Sequence, residues 1–69
     1  ENFFYVYLGI YNLLGEKVRS LVANFKEPGY HFVKWNGKDE LNKNVASGPY
    51  YIVLEIEGTY LTKNITFIK

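Results

Sequence analysis

Apolar and polar positions alternate along most of this chain, and the alternation breaks at Gly, Pro and Asn. In FFYVYLGIY, residues 3–11, Val6, Leu8 and Ile10 fall on one side and Tyr5, Tyr7 and Tyr11 on the other. A period of two in β-branched and aromatic residues predicts a strand. NLLGE, residues 12–16, reads as a turn in which Gly15 takes a positive φ. KVRSLV, residues 17–22, alternates again, with Val18 and Val22 in phase until Leu21 falls out of step, so a bulge or strand end is expected there. ANFKEPGY, residues 23–30, reads as a loop broken at Pro28 and Gly29.

A further strand is predicted over YHFVKW, residues 30–35, with His31, Val33 and Trp35 on one face and Tyr30, Phe32 and Lys34 on the other. A long polar stretch follows. After it, YYIVLEIE, residues 50–57, turns Tyr50, Ile52, Leu54 and Ile56 inward and Tyr51, Val53, Glu55 and Glu57 outward. Gly58 marks a turn, and YLTKNITFI, residues 60–68, closes with Leu61, Ile65 and Phe67 in phase. Lys63 shares that phase, which places it at a sheet edge or in a bulge. About five strands without a helix predict a small all-β, antiparallel sandwich. Its expected core is Leu8, Ile10, Val33, Trp35, Tyr50 and Leu54.

Sixty-nine residues allow a single domain, residues 1–69, with a thin core. There is no cysteine, hence no disulfide or thiolate–zinc staple. Aromatic mass stands in for them: seven Tyr, five Phe and one Trp make 19% of the chain. Eight Lys and Arg against seven Asp and Glu give a net charge of +1. The basic residues are spread out, so nothing argues for nucleic acid. No apolar run approaches the ~20 residues of a membrane-spanning helix, so membrane insertion is not expected. The chain has no Met and opens inside a strand-like run, so it is expected to be a piece of a longer protein.

Three stretches taken in order carry a resemblance: IYNLLGEKVRSLV, then EPGYHFVKWNGKDELNKNVASGPYYIVLEIEG, then a short Lys-containing strand. The order resembles the immunoglobulin-like domain of the flagellar hook-capping protein and the related C-terminal sorting domains of the type IX (Por) secretion system. Ile10, Tyr11, Asn12, Gly15, Val18, Arg19 and Leu21 match the first half of the family pattern. Gly29, His31, Val33, Trp35, Gly37, Asp39, Val45, Ser47, Gly48 and Tyr50 match the second. Asn36 stands where the family usually has Asp, Asn42 where it has Gly, and Pro49 where it has an aliphatic residue. The resemblance implies a small antiparallel immunoglobulin-like β-sandwich of about five to seven strands, with its first strand absent from this stretch. It implies a non-enzymatic, extracytoplasmic module, secreted or at the cell surface. Its protein partners would be secretion machinery, domains of the parent protein, or copies of itself in a homo-oligomer.

The polar loop invites a sharper reading. Asn36, Asp39, Glu40, Asn42 and Asn44 could offer oxygens to calcium, but their spacing is not that of a D-x-D-x-D-G loop. The expectation is structural: Asn36, Asp39 and Ser47 hold turns through backbone N–H groups, while Gly37 and Gly48 supply unusual backbone shapes, and no metal or cofactor is implied. The one His, His31, sits between Tyr30 and Phe32 with no local nucleophile, so no catalytic residue is assigned. Asn64-Ile65-Thr66 spells a glycosylation sequon, a triplet common by chance.

The excess of outward rings has three explanations: packing against a neighbour, stacking of sugars as in a carbohydrate-binding accessory module, or simple cladding of a thin sheet. The expected interface is Tyr5, Tyr7, Tyr30 and Phe32, next to a vacant edge beside the first aromatic strand.

Overall fold

The computed structural model describes residues 3–69. Its elements are β1 (Phe4–Tyr11), β2 (Lys17–Lys26), β3 (Gly48–Ile56) and β4 (Thr59–Phe67). They form one antiparallel sheet in the order β2-β1-β3-β4. The all-β, antiparallel expectation holds, and no helix occurs among the described residues.

The register follows from the alternation. Leu8 lies opposite Val22 on one side and Leu54 on the other, and Ile10 opposite Arg19 and Ile52. Leu61, Ile65 and Phe67 of β4 lie opposite Leu54, Tyr50 and Gly48. One face therefore collects Val6, Leu8, Ile10, Val22, Tyr50, Ile52, Leu54, Ile56, Leu61, Ile65 and Phe67; we call it the inner face. The other carries Tyr5, Tyr7, Tyr11, Phe25, Tyr51, Val53, Glu55 and Tyr60, the outer face. Between Leu8 and Gly9 the partner jumps from Val22 to Ser20, so Leu21 is the extra residue of a bulge. A second shift, between Ile10 and Tyr11, leaves Val18 over in the same way.

Three expectations are corrected. Residues 23–26 are not loop: β2 runs on to Lys26, with Phe25 opposite Tyr5 and Lys26 opposite Phe4. The two bulges had masked the alternation that continues beyond them. Residues 30–35 are not a strand, because none of the described residues pairs with them, and the strands among the described residues number four rather than five. Finally, β1 has no vacant edge, since it lies between β2 and β3; the open edges belong to β2 and β4. Lys63 does lie on an edge strand, opposite Ile52.

The connection from β2 to β3, residues 27–47, crosses the inner face to reach the far side of β1. It is the only second layer among the described residues, and the molecule is correspondingly thin and long, 40 × 20 × 19 Å. Its radius of gyration, 12.7 Å, exceeds the about 11 Å of a compact chain this size. Among the described residues Ile10 is the one large side chain fully enclosed. Between β3 and β4, Glu57 (φ 50) and Gly58 (φ 85) form a two-residue hairpin turn with both φ positive. Glutamate is a poor residue for that conformation, and its carboxylate is tied down by the Tyr5 N–H at 3.0 Å.

Candidate functional site

The polar connection is a built structure. Asp39 Oδ1 accepts from the N–H groups of Leu41 (2.9 Å) and Lys43 (3.0 Å), and the Asp39 N–H donates to Lys43 O. Asn42, three residues on, takes φ 64 and donates its N–H to Asp39 O. The turn between β1 and β2 is the same device. Asn12 Oδ1 accepts from Leu14 and Glu16 N–H, the Asn12 N–H donates to Glu16 O, and Gly15 (φ 84) donates to Asn12 O. NLLGE and DELNK are thus two copies of one turn, each led by an Asx side chain that replaces missing backbone partners.

The two turns lie side by side. Glu40 donates its N–H to Val18 O, its carboxylate accepts from the Ser20 N–H, and Arg19 Nη1 donates to Asp39 O at 2.7 Å. These bonds cap the open edge of β2 where the Val18 bulge would leave it bare. Arg19, a position of the family pattern, is therefore a clamp on the loop. Asn12 entered the sequence analysis as part of the family pattern and Glu40 as a possible cation ligand; laying the two turn sequences over each other would have exposed the turn-leading role of Asn12.

Aromatic packing anchors the loop at both ends. Trp35 is half-buried, edge-on to Tyr50 (centroids 5.3 Å) and tilted against Phe67 (5.0 Å). Its indole N–H donates to Lys38 O at 3.0 Å. Tyr50 is buried, and its hydroxyl donates to Ala46 O at 2.7 Å. Gly37 (φ 76) lies beneath the Phe67 ring so closely that a β-carbon there would overlap it. Asn36 Oδ1 accepts from the Lys38 N–H, Ser47 Oγ from the Lys69 N–H, and Gly48 takes φ 147. Of the oxygens offered to a cation, those of Asn36, Asp39 and Glu40 accept from backbone N–H groups and Asn44 Oδ1 accepts from Lys38 Nζ at 2.9 Å, and among the described residues no three His, Asp or Glu side chains converge.

The anchors cover one end of the inner face. The other end is open. A groove of about 280 Å³ runs between Val6, Leu8, Val22, Leu54 and Ile56 of the sheet and His31 and Val33 of the connection. Leu8 and Leu54 are half-buried there, and Val33 is 42% exposed. Val33 thus departs from its expected core position, because residues 30–35 have no strand partner to close over it. His31 is held by a bond between Nε2 and Glu27 O.

The outer face is aromatic and ordered by contact. Tyr5 meets Phe25 edge to face at 5.2 Å. Gly9 has no side chain, which lets Tyr7 and Tyr11 fold over its backbone, their hydroxyls 2.8 Å apart. That hydrogen bond, with burial second, raises the Tyr11 phenol to about 12. Replacing Tyr7 with Phe should return Tyr11 towards 10, read from tyrosinate absorbance; an unmoved titration would refute the assignment. Because the folded state holds this proton more tightly, Tyr11 should reduce stability as pH rises from about 10 to about 12.

Of the four expected interface residues, Tyr5 and Tyr7 lie on the outer face. Tyr30 and Phe32 alternate with His31 and Val33, so they point away from the inner face, 98% and 96% exposed. The structure sets them on opposite sides of the sheet. Trp35, the ring best suited to stack on a sugar, is half-buried and packs against Tyr50 and Phe67.

A family model described as the FlgD Ig-like domain matches residues 5–59. No curated protein and no solved structure matches the chain.

Proposed function

This chain belongs to the FlgD Ig-like domain family, a structural, non-catalytic class, and from that premise we propose that it works as a protein-contact module of an extracytoplasmic assembly. The family match over residues 5–59 carries this reading. Its physical support is the uneven investment in the chain. The hydrogen bonds and aromatic contacts described above hold the two turns rigidly at one end, while large apolar side chains stand exposed elsewhere: Tyr5, Phe25, Tyr30, Phe32 and Tyr60 are all more than 40% exposed. A rigid frame presenting apolar rings suits recognition of other proteins.

The finer form of the proposal is a flagellar hook-associated role, with copies of the chain, structural subunits or domains of the same polypeptide as partners. In the sorting-domain form, the partner is the secretion machinery and the destination is the cell surface or medium. In-frame deletion of residues 5–59 from the parent protein separates these. Assembly predicts a parent that still leaves the cytoplasm but no longer enters its surface structure; sorting predicts one retained in the cell. A parent exported and assembled as before would refute both forms.

A further inference from the structure

We propose that Asn36 modifies itself: the Gly37 nitrogen attacks its side-chain amide, ammonia leaves, and hydrolysis installs an aspartate carboxylate beside Arg19 and Lys34. This chemistry is independent of the protein-contact reading above and consumes only water.

The reaction requires an Asn whose following backbone nitrogen is unshielded. The chain has seven Asn, and those at 2, 12, 24, 42, 44 and 64 are followed by Phe, Leu, Phe, Lys, Val and Ile. Each of those side chains crowds the attacking nitrogen, whereas Gly37 has none. Asn36 Oδ1 accepts from the Lys38 N–H at 3.1 Å. The hydrogen-bonded ring so closed contains the Gly37 nitrogen, so the bond folds the side-chain carbonyl back over the peptide that attacks it. The same N–H faces the oxygen on which negative charge gathers as Cγ becomes tetrahedral. Arg19, Lys34, Trp35 and Asn36 line one cavity of about 400 Å³, which sets two cations near that charge. Asn36 is exposed, so water reaches it.

The bond from the Gly37 nitrogen to Cγ forms as the Cγ–Nδ2 bond breaks, and the Gly37 amide proton leaves with Nδ2 as ammonia. Water then opens the cyclic imide. Cleavage of its bond to Cγ gives aspartate at position 36. Cleavage of its bond to the backbone carbonyl gives isoaspartate, which adds one carbon to the main chain.

The fold selects between these products. Gly37 is buried, its carbonyl accepts from the Val45 N–H at 3.0 Å, and the Phe67 ring covers it so closely that no β-carbon fits. Trp35, on the other side of Asn36, packs against Tyr50 and Phe67. A main chain lengthened between these two held residues would displace one of them. Aspartate keeps the length, and its carboxylate accepts from the Lys38 N–H as the amide oxygen did, now with charge assistance. Asp39 and Glu40 of the same loop already accept from backbone N–H groups. Among the described residues no acidic side chain lines the cavity. The new carboxylate supplies a counter-charge there, and the seven acids become eight, equal to the eight Lys and Arg.

The test holds the 69-residue chain at mildly alkaline pH, folded as judged by the near-ultraviolet signal of Trp35, and in parallel in denaturant. Ammonia release and peptide mapping follow both samples. In the folded chain Asn36 should convert ahead of the six other Asn, with aspartate in excess of isoaspartate. In denaturant isoaspartate should predominate, because nothing then holds Trp35 and Gly37 at a fixed separation. Asn36→Asp, made directly, should raise the denaturant midpoint at low salt and lose that gain at high salt. An Asn36 that stays intact in the folded chain, an isoaspartate excess unchanged by folding, or an Asn36→Asp midpoint no higher than that of the unmodified chain would overturn the proposal.

Discussion

Alanine at Trp35 is expected to remove about 3 kcal/mol, a large part of the chain's stability. Replacing a core aromatic with alanine costs about 3–5 kcal/mol, and a half-buried Trp belongs near the low end. The 69 residues have a total stability on the order of 3–10 kcal/mol. Trp35 ties the connection to both β3, through Tyr50, and β4, through Phe67. Its removal also leaves Lys38 O without the indole donor. Trp35→Phe is the informative control: it keeps a ring on Tyr50 and Phe67 and loses the N–H bond, about 1 kcal/mol. Denaturant titration followed by circular dichroism measures both, and a Trp35→Ala variant as stable as the parent chain would refute the anchoring role.

Alanine at Gly37 is expected to cost about 2–4 kcal/mol through two separable effects. The residue holds φ 76, a left-handed conformation that costs a β-carbon about 1–2 kcal/mol. The added carbon would also overlap Phe67 Cζ and lie 2.8 and 3.0 Å from its Cε atoms. Phe67 also packs against Trp35, with centroids 5.0 Å apart, so a displaced ring disturbs the anchor. A double-mutant cycle with Phe67→Ala divides the two. In the Phe67→Ala background only the backbone part should remain. An equal loss with and without the Phe67 ring would show that the close approach contributes nothing.

Local pattern carried far through this chain. The inward sets Val6–Leu8–Ile10 and Tyr50–Ile52–Leu54–Ile56, the Leu21 bulge, the turn at Gly15 and the edge position of Lys63 were all legible, because side-chain direction in a strand depends only on parity along the chain. The left-handed Asn42 was legible for a related reason: few side chains tolerate that conformation, and Asn is one. The anchoring residues Trp35 and Tyr50 could be named from the family pattern.

Parity also set the limits. It cannot say which strand lies beside which, so the aromatic strand β1, expected at an edge, is central. Bulges reset the phase, so the last four residues of β2 looked like loop. Residues 30–35 alternate as well as any strand here, but a ladder needs a second segment at hydrogen-bonding distance, and none of the described residues supplies one. The clamp of Arg19 and Glu40 on the polar loop joins residues twenty apart, a proximity created only when the connection folds back along β2. What the sequence by itself determined is which way each side chain points, since that is settled within two residues by backbone geometry. What the tertiary structure decided is what each side chain meets, since that depends on strand order and on where residues 27–47 cross the sheet, and both are set by packing between segments far apart in the chain.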